Sequence, residues 1–125
     1  MKSNPRDYYP LSSVGELFPI SDSLRQPKLP HAPNCKKDDI YFSETCLQSH
    51  KQFLLKLLYG LTLIEQLSYQ KLEEITNTEI KNIYTVGGGI KSPVWMLLRQ
   101  TIMKSKQFKP VQHTQAAYGV TQLIQ

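Results

Sequence analysis

Cysteine is scarce in this chain. Cys35 and Cys46 are the only two among 125 residues, too few for a disulfide framework. Long apolar runs are lacking as well. The longest, Phe53 to Leu63, is broken by Lys56 and Gly60 and is too short to span a bilayer. Met1-Lys2 leads into Ser3-Asn4-Pro5-Arg6 with no apolar segment behind it, so no secretory signal is expected and the cytoplasm is the natural compartment. Basic clusters are missing too. The net charge is +5, but the lysines and arginines are scattered, and the one basic pair, Lys36-Lys37, is followed directly by Asp38-Asp39. A nucleic-acid footprint needs clustered basic residues with interleaved aromatics, so neither nucleic acid nor membrane is an expected partner.

The chain is equally poor in groups for general-base or nucleophilic chemistry. Asp38-Asp39 sits beside lysines in a loop, and Glu73-Glu74 reads as the solvent-facing end of a helix. No catalytic residue is expected here. His31, Cys35, Cys46 and His50 give H-x3-C followed by C-x3-H, with Cys46 and His50 able to share a helix face. Structural zinc sites more often use C-x2-C pairs, and half of this set lies in a proline-rich loop, so ordinary surface or core residues are the simpler reading and no metal site is expected.

What is present is an organised α/β pattern, with length for one domain. Residues 1–42 are irregular and hold six of the eight prolines. Tyr8-Tyr9 and Glu16-Leu17-Phe18 suggest short strands or a hairpin around Ser12–Gly15, and Asp22–Asp39 reads as an extended surface loop. Residues 43–125 are regular. From Ser43, Leu54, Leu57, Leu58, Leu61, Ile64 and Leu72 keep helical spacing, while Phe53, Leu63 and Leu67 add a second apolar side. Such a helix is expected to be buried between layers, with Gly60 admitting a close neighbour. The remainder reads β-α-β-α: strand 82–86, helix 92–103, a strand near Phe108–Val111, and a helix from Thr114 to the end. Alternation of this kind predicts parallel strands.

The densest signal is Ile83-Tyr84-Thr85-Val86-Gly87-Gly88-Gly89, followed by Lys91-Ser92-Pro93. Half of the chain's six glycines fall in this triplet. A β-branched and aromatic run makes a strand, glycines open turn conformations that other residues avoid, and Ser92-Pro93 starts a helix. Strand, glycine turn and helix start bring bare backbone against a phosphate or nucleoside in many folds. The spacing fits neither G-x-G-x-x-G nor G-x-x-x-x-G-K-[ST]. An adenosine-binding turn and a tight turn that serves only the chain itself both remain. Trp95 reads as a packing residue rather than a ligand stacker.

Several segments in order carry a family likeness: Asp7-Tyr8-Tyr9-Pro10-Leu11, Gly15-Glu16-Leu17-Phe18-Pro19-Ile20, Phe53-Leu54, Leu57-Leu58-Tyr59-Gly60, Ile64-Glu65, Gly87 to Trp95, and Thr114-Gln115-Ala116-Ala117-Tyr118-Gly119. Together they resemble the C-terminal domain of FGGY carbohydrate kinases, nearest to the branch acting on D-ribulose and xylulose. The likeness spans nearly the whole chain except about Pro30 to His50.

The resemblance implies an α/β fold, part of an actin-like (ribonuclease H-like) ATPase domain. It also implies that Gly87, Gly88 and Gly89 approach the adenosine and α-phosphate of ATP, with Ser92 and Pro93 at the following helix start. Ala116 to Gly119 would be structural. Family kinases use Mg²⁺ and an Asp general base to move the γ-phosphoryl group of ATP to a sugar hydroxyl. The stretch matched here contains no counterpart of the sugar-binding domain, the catalytic Asp or the phosphate loops. ATP and ADP are therefore the expected ligands, sugar is expected only with the rest of such a kinase, and no Mg²⁺ ligand is expected in this chain. Gln115 stands where relatives usually carry Glu, and Ile90 where a smaller residue is commoner, which crowds the adenosine side. The alternative expectation is a non-catalytic binding or assembly module that keeps the subfold and self-associates through surface left open.

Overall fold

A computed structural model describes residues 8–10, 12–33, 44–111 and 123. The chain divides into two compact units, up to Ser68 and from Tyr69. The division falls within the long helix α1 (Glu44–Thr76) rather than at its start, where composition changes.

In the first unit the N-terminal pairing differs from a hairpin around Ser12–Gly15. Tyr9 pairs with Lys28, each N–H donating to the other's carbonyl at 2.9 Å, and Glu16 pairs with Asp22 in the same way at 2.8 Å. The reversal therefore lies between Glu16 and Asp22, and part of the segment expected to be a surface loop supplies the partner backbone. Local chemistry explains the placement. Gly15 has φ 99°, a left-handed conformation that lets its N–H reach the Arg25 carbonyl at 2.9 Å. The Asp22 carboxylate accepts from the Leu24 N–H at 3.0 Å, an Asx turn that closes the reversal. The Phe18–Pro19 peptide is cis. The Tyr9 hydroxyl donates to the Glu16 carboxylate, and the Arg25 guanidinium lies 3.9 Å from the Tyr9 ring centroid.

The α1 helix does admit a close neighbour at Gly60. A Cβ there would stand 2.9 Å from Pro10 Cδ and 3.0 Å from the Tyr8 carbonyl oxygen. The two-sided burial expected of α1 is not observed. Leu47, Leu54, Leu55, Leu61, Leu72 and Ile75 are exposed. Among the described residues the buried apolar side chains are Ile83 and Met103, neither of them on α1. No helix among the described residues is long and apolar enough to cross a membrane.

The second unit is a small α/β arrangement. Strand β1 (Asn82–Tyr84) pairs in parallel with β2 (Gln107–Lys109), in the register Asn82 to Gln107, Ile83 to Phe108 and Tyr84 to Lys109. Helix α2 (Pro93–Ile102) connects them. Both strands end sooner than their sequence patterns suggest, β1 at Tyr84 and β2 at Lys109. The helix expected from Thr114, with Ala116, Ala117 and Gly119, lies outside the described residues.

The same unit corrects the reading of Glu73-Glu74. Glu74 is exposed and pairs with Lys71 at 3.0 Å, but Glu73 is not simply solvent-facing. Its carboxylate accepts from the Lys106 ammonium and, at 2.9 Å, from the Ile80 N–H. Lys106 also donates to the Ile80 carbonyl at 2.8 Å and lies 5.8 Å from the Tyr69 ring centroid. The last turn of α1, the segment entering β1 and the turn before β2 thus meet at one ammonium.

Candidate functional site

Between β1 and α2 the chain turns through Gly87 and a 3-10 turn, Gly88–Lys91. The three glycines have different local reasons to be there. Gly87 has φ 87° and ψ −171°, a conformation that a side chain would strain. Gly89 is enforced by packing, since a Cβ would come within 2.8 Å of Trp95 Cζ3. Gly88 has neither reason: its φ is ordinary and a Cβ would meet nothing within 4 Å.

The helix start follows the chemistry of its residues. Ser92 is the N-cap, extended at φ −95° and ψ 100°, and its hydroxyl accepts from the Trp95 N–H at 3.3 Å. Pro93 occupies the first helical position, where its missing N–H has no consequence. The first turn carries no acidic residue, so the positive end of the helix dipole is not locally neutralised. Trp95 packs on Gly89, the packing role expected for it.

Sequence reasoning missed Arg99. It is buried, with 6% of its surface exposed, and lies on the inward face of α2 with Trp95 and Met103, four residues away on either side. Its guanidinium donates to Thr85 Oγ1 at 2.8 Å and to Met96 Sδ at 3.4 Å. It also lies 4.7 Å from the Phe108 ring centroid and 6.0 Å from that of Trp95. The available signal was its register: an arginine at i+4 from a tryptophan and i−4 from a methionine falls within the apolar stripe.

Beside this arginine is a hollow of about 260 Å³, lined by Thr85, Ile90, Met96 and Gln100 together with Phe108–Val111. Thr85 follows β1, and Pro110 and Val111 follow β2, so the hollow lies at the carboxyl ends of two parallel strands. That is where open α/β sheets usually bind ligands. Ile90 belongs to the glycine turn, but Gly87, Gly88, Gly89, Ser92 and Pro93 do not line the hollow.

Of the four metal-type residues, His31 is exposed and His50 half-buried, while the side chains of Cys35 and Cys46 lie outside the described residues. Among the described residues no three metal-ligating side chains come together. No family model matches the chain.

Proposed function

We propose that this chain is the C-terminal, ATP-binding portion of an FGGY-type carbohydrate kinase, one that transfers the γ-phosphoryl group of ATP to a hydroxyl of a pentulose of the ribulose or xylulose kind. The observation that carries the reading is Gly88. Its neighbours are glycine because of backbone conformation and packing, and it is not. An approaching nucleotide would supply the reason for a third glycine, because only bare backbone can come that close to a ligand.

The finer fold assignment, part of an actin-like ATPase domain, belongs to the same proposal. It is supported by the parallel β1–β2 pair, the intervening α2 and the glycine turn between β1 and α2. Phosphoryl transfer depends mainly on positioning and charge stabilisation. Here Gly87 to Gly89 offer main-chain N–H groups, and α2 offers its dipole. Ser92 and Pro93 act by starting that helix, since the Ser92 hydroxyl is engaged by the Trp95 N–H. Mg²⁺ accompanies ATP in this chemistry, and no residue of this chain is assigned to it. Sugar and general base belong to other parts of such a kinase, so the chain alone is proposed to bind nucleotide in the cytoplasm without turning over.

Calorimetric titration of ATP and ADP into the chain and into a Gly88→Val variant tests this. Binding that the variant abolishes while staying folded supports the reading. Binding indifferent to the variant, or none by the folded native chain, overturns it.

A second reading is favoured by one observation, the exposed leucines of α1 and of the N-terminal segment, where Leu17 is 90% and Leu24 77% exposed. Large apolar side chains left in water favour association. An assembly module would show a concentration-dependent mass in light scattering, and a monomer at all concentrations rules it out.

A further inference from the structure

We propose that the hollow at the strand ends is a binding site for a small carboxylate carried on an apolar body, with Thr85 as the residue that receives the carboxylate. This inference does not rest on the nucleotide reading, whose residues Gly87, Gly88, Gly89, Ser92 and Pro93 lie outside the lining.

Arg99 sets the polarity of its neighbour Thr85. A guanidinium stays charged and can only donate hydrogen bonds. At 2.8 Å from Arg99 Nη1, Thr85 Oγ1 is therefore an acceptor on that side, which leaves its own hydrogen to be donated elsewhere. A hydroxyl that accepts from a cation is polarised and becomes a stronger donor. Thr85 lines the hollow, and so do Gln100, with an amide donor, and Lys109, whose ammonium makes no ion pair among the described residues. Among the described residues no carboxylate side chain lines the hollow, and the remaining lining is apolar: Ile90, Met96, Phe108, Pro110 and Val111. The Thr85 hydroxyl, beside the Arg99 cation, and the Gln100 amide, with apolar walls around them, complement an anionic, accepting group on an apolar body. At about 260 Å³ the hollow lies just under the ~300–1,000 Å³ usual for drug-sized ligands, so a single ring with a short acidic arm suits it.

The test is a titration of the ¹⁵N-labelled full chain with phenylacetate, followed by amide shifts, with 2-phenylethanol as the neutral counterpart and adenosine as the competing occupant. The expected result is saturable shifts at Thr85, Ile90, Gln100 and Val111 with phenylacetate. Replacing the charged group by the neutral one should weaken binding about tenfold, the scale of one charge-assisted hydrogen bond. Thr85→Val should weaken phenylacetate similarly, and Thr85→Ser, which keeps the hydroxyl, should bind like the native chain. Equal binding of 2-phenylethanol, shifts elsewhere, no saturation, or a Thr85→Val variant that binds unchanged overturns the proposal. Adenosine shifting these same amides while phenylacetate does not would overturn it as well and assign the hollow to the nucleotide. Loss of ATP binding at the glycine turn leaves it untouched.

Discussion

Gly89 and Trp95 are fitted to each other: a Cβ on Gly89 would sit 2.8 Å from Trp95 Cζ3, closer than van der Waals contact permits. Gly89→Ala must therefore push the indole off the turn or shift the turn off the helix. Overpacking of this kind typically costs about 1–3 kcal/mol. Gly88→Ala meets open space at an ordinary φ, and the loss of unfolded-state freedom should leave it neutral or stabilise it by up to about 1 kcal/mol. Urea denaturation checks both. Trp95 is the chain's one tryptophan, so its fluorescence reports on this contact directly. Equal midpoints for the two variants would refute the distinction between these glycines.

Gly60 sets two effects against each other. Alanine would gain about 1 kcal/mol of helix propensity inside α1. The new methyl would also stand 2.9 Å from Pro10 Cδ and 3.0 Å from the Tyr8 carbonyl, and a backbone oxygen yields less readily than a side-chain tip. The overpacking term, about 1–3 kcal/mol, should win, so Gly60→Ala is expected to lower the urea midpoint. A raised midpoint would mean that the segment at Tyr8–Pro10 moves away freely.

Features that depend on neighbours in sequence were legible, and those that depend on distant partners were not. Ser92 and Pro93 announce a helix start through capping chemistry that needs nothing beyond the next turn. Gly60 within a run of leucines signals a close approach without saying by what. The Tyr9–Lys28 and Glu16–Asp22 pairs were hidden because short irregular strands carry no period, and their register follows from Gly15 and the Asp22 turn. Arg99 with Thr85, and Lys106 with Glu73, join residues 14 and 33 positions apart, and a charge carries no sign of which distant group will meet it. The hollow is lined from Thr85, the glycine turn, α2 and the end of β2, segments distant in sequence, so it too was out of reach. The glycine turn was legible as a turn, but its division into a conformational, an open and a packing glycine depends on the folded backbone and on where Trp95 lies.

The Glu73–Lys106 contact gives the second unit an acid dependence with a definite sign. The hydrogen bond from Lys106 and then that from the Ile80 N–H hold the Glu73 carboxyl below its ordinary 4.5. A carboxyl depressed in the folded state contributes stability that is present above its unfolded value and lost as the pH falls through the folded value. The native chain should lose urea resistance as the pH drops below about 4.5, and Glu73→Gln should be less stable at neutral pH with a flatter acid limb. Midpoints measured from neutral to acid pH check this. Parallel curves for the two proteins would exclude the carboxylate as the cause.

Tyr9 should give the first unit the opposite dependence, at the alkaline end. Burial, then the hydrogen bond to Glu16 and the charge of that carboxylate, push its phenol from 10.0 up to about 12, with the Arg25 guanidinium working the other way. The neutral phenol is therefore the form that the fold favours. Its contribution is fully present below 10.0 and is lost as the pH rises from there through about 12. A spectrophotometric titration of phenolate should show an ionisation at about pH 12, and Tyr9→Phe should remove that late step. The same variant deprives Glu16 of its donor. Glu16 is 8% exposed, so the loss should also appear as reduced stability at neutral pH, about 1–3 kcal/mol for a buried acceptor left without its partner. A late step that persists in Tyr9→Phe would assign the raised phenol to another tyrosine, and an unchanged neutral midpoint would mean that water replaces the hydroxyl at Glu16.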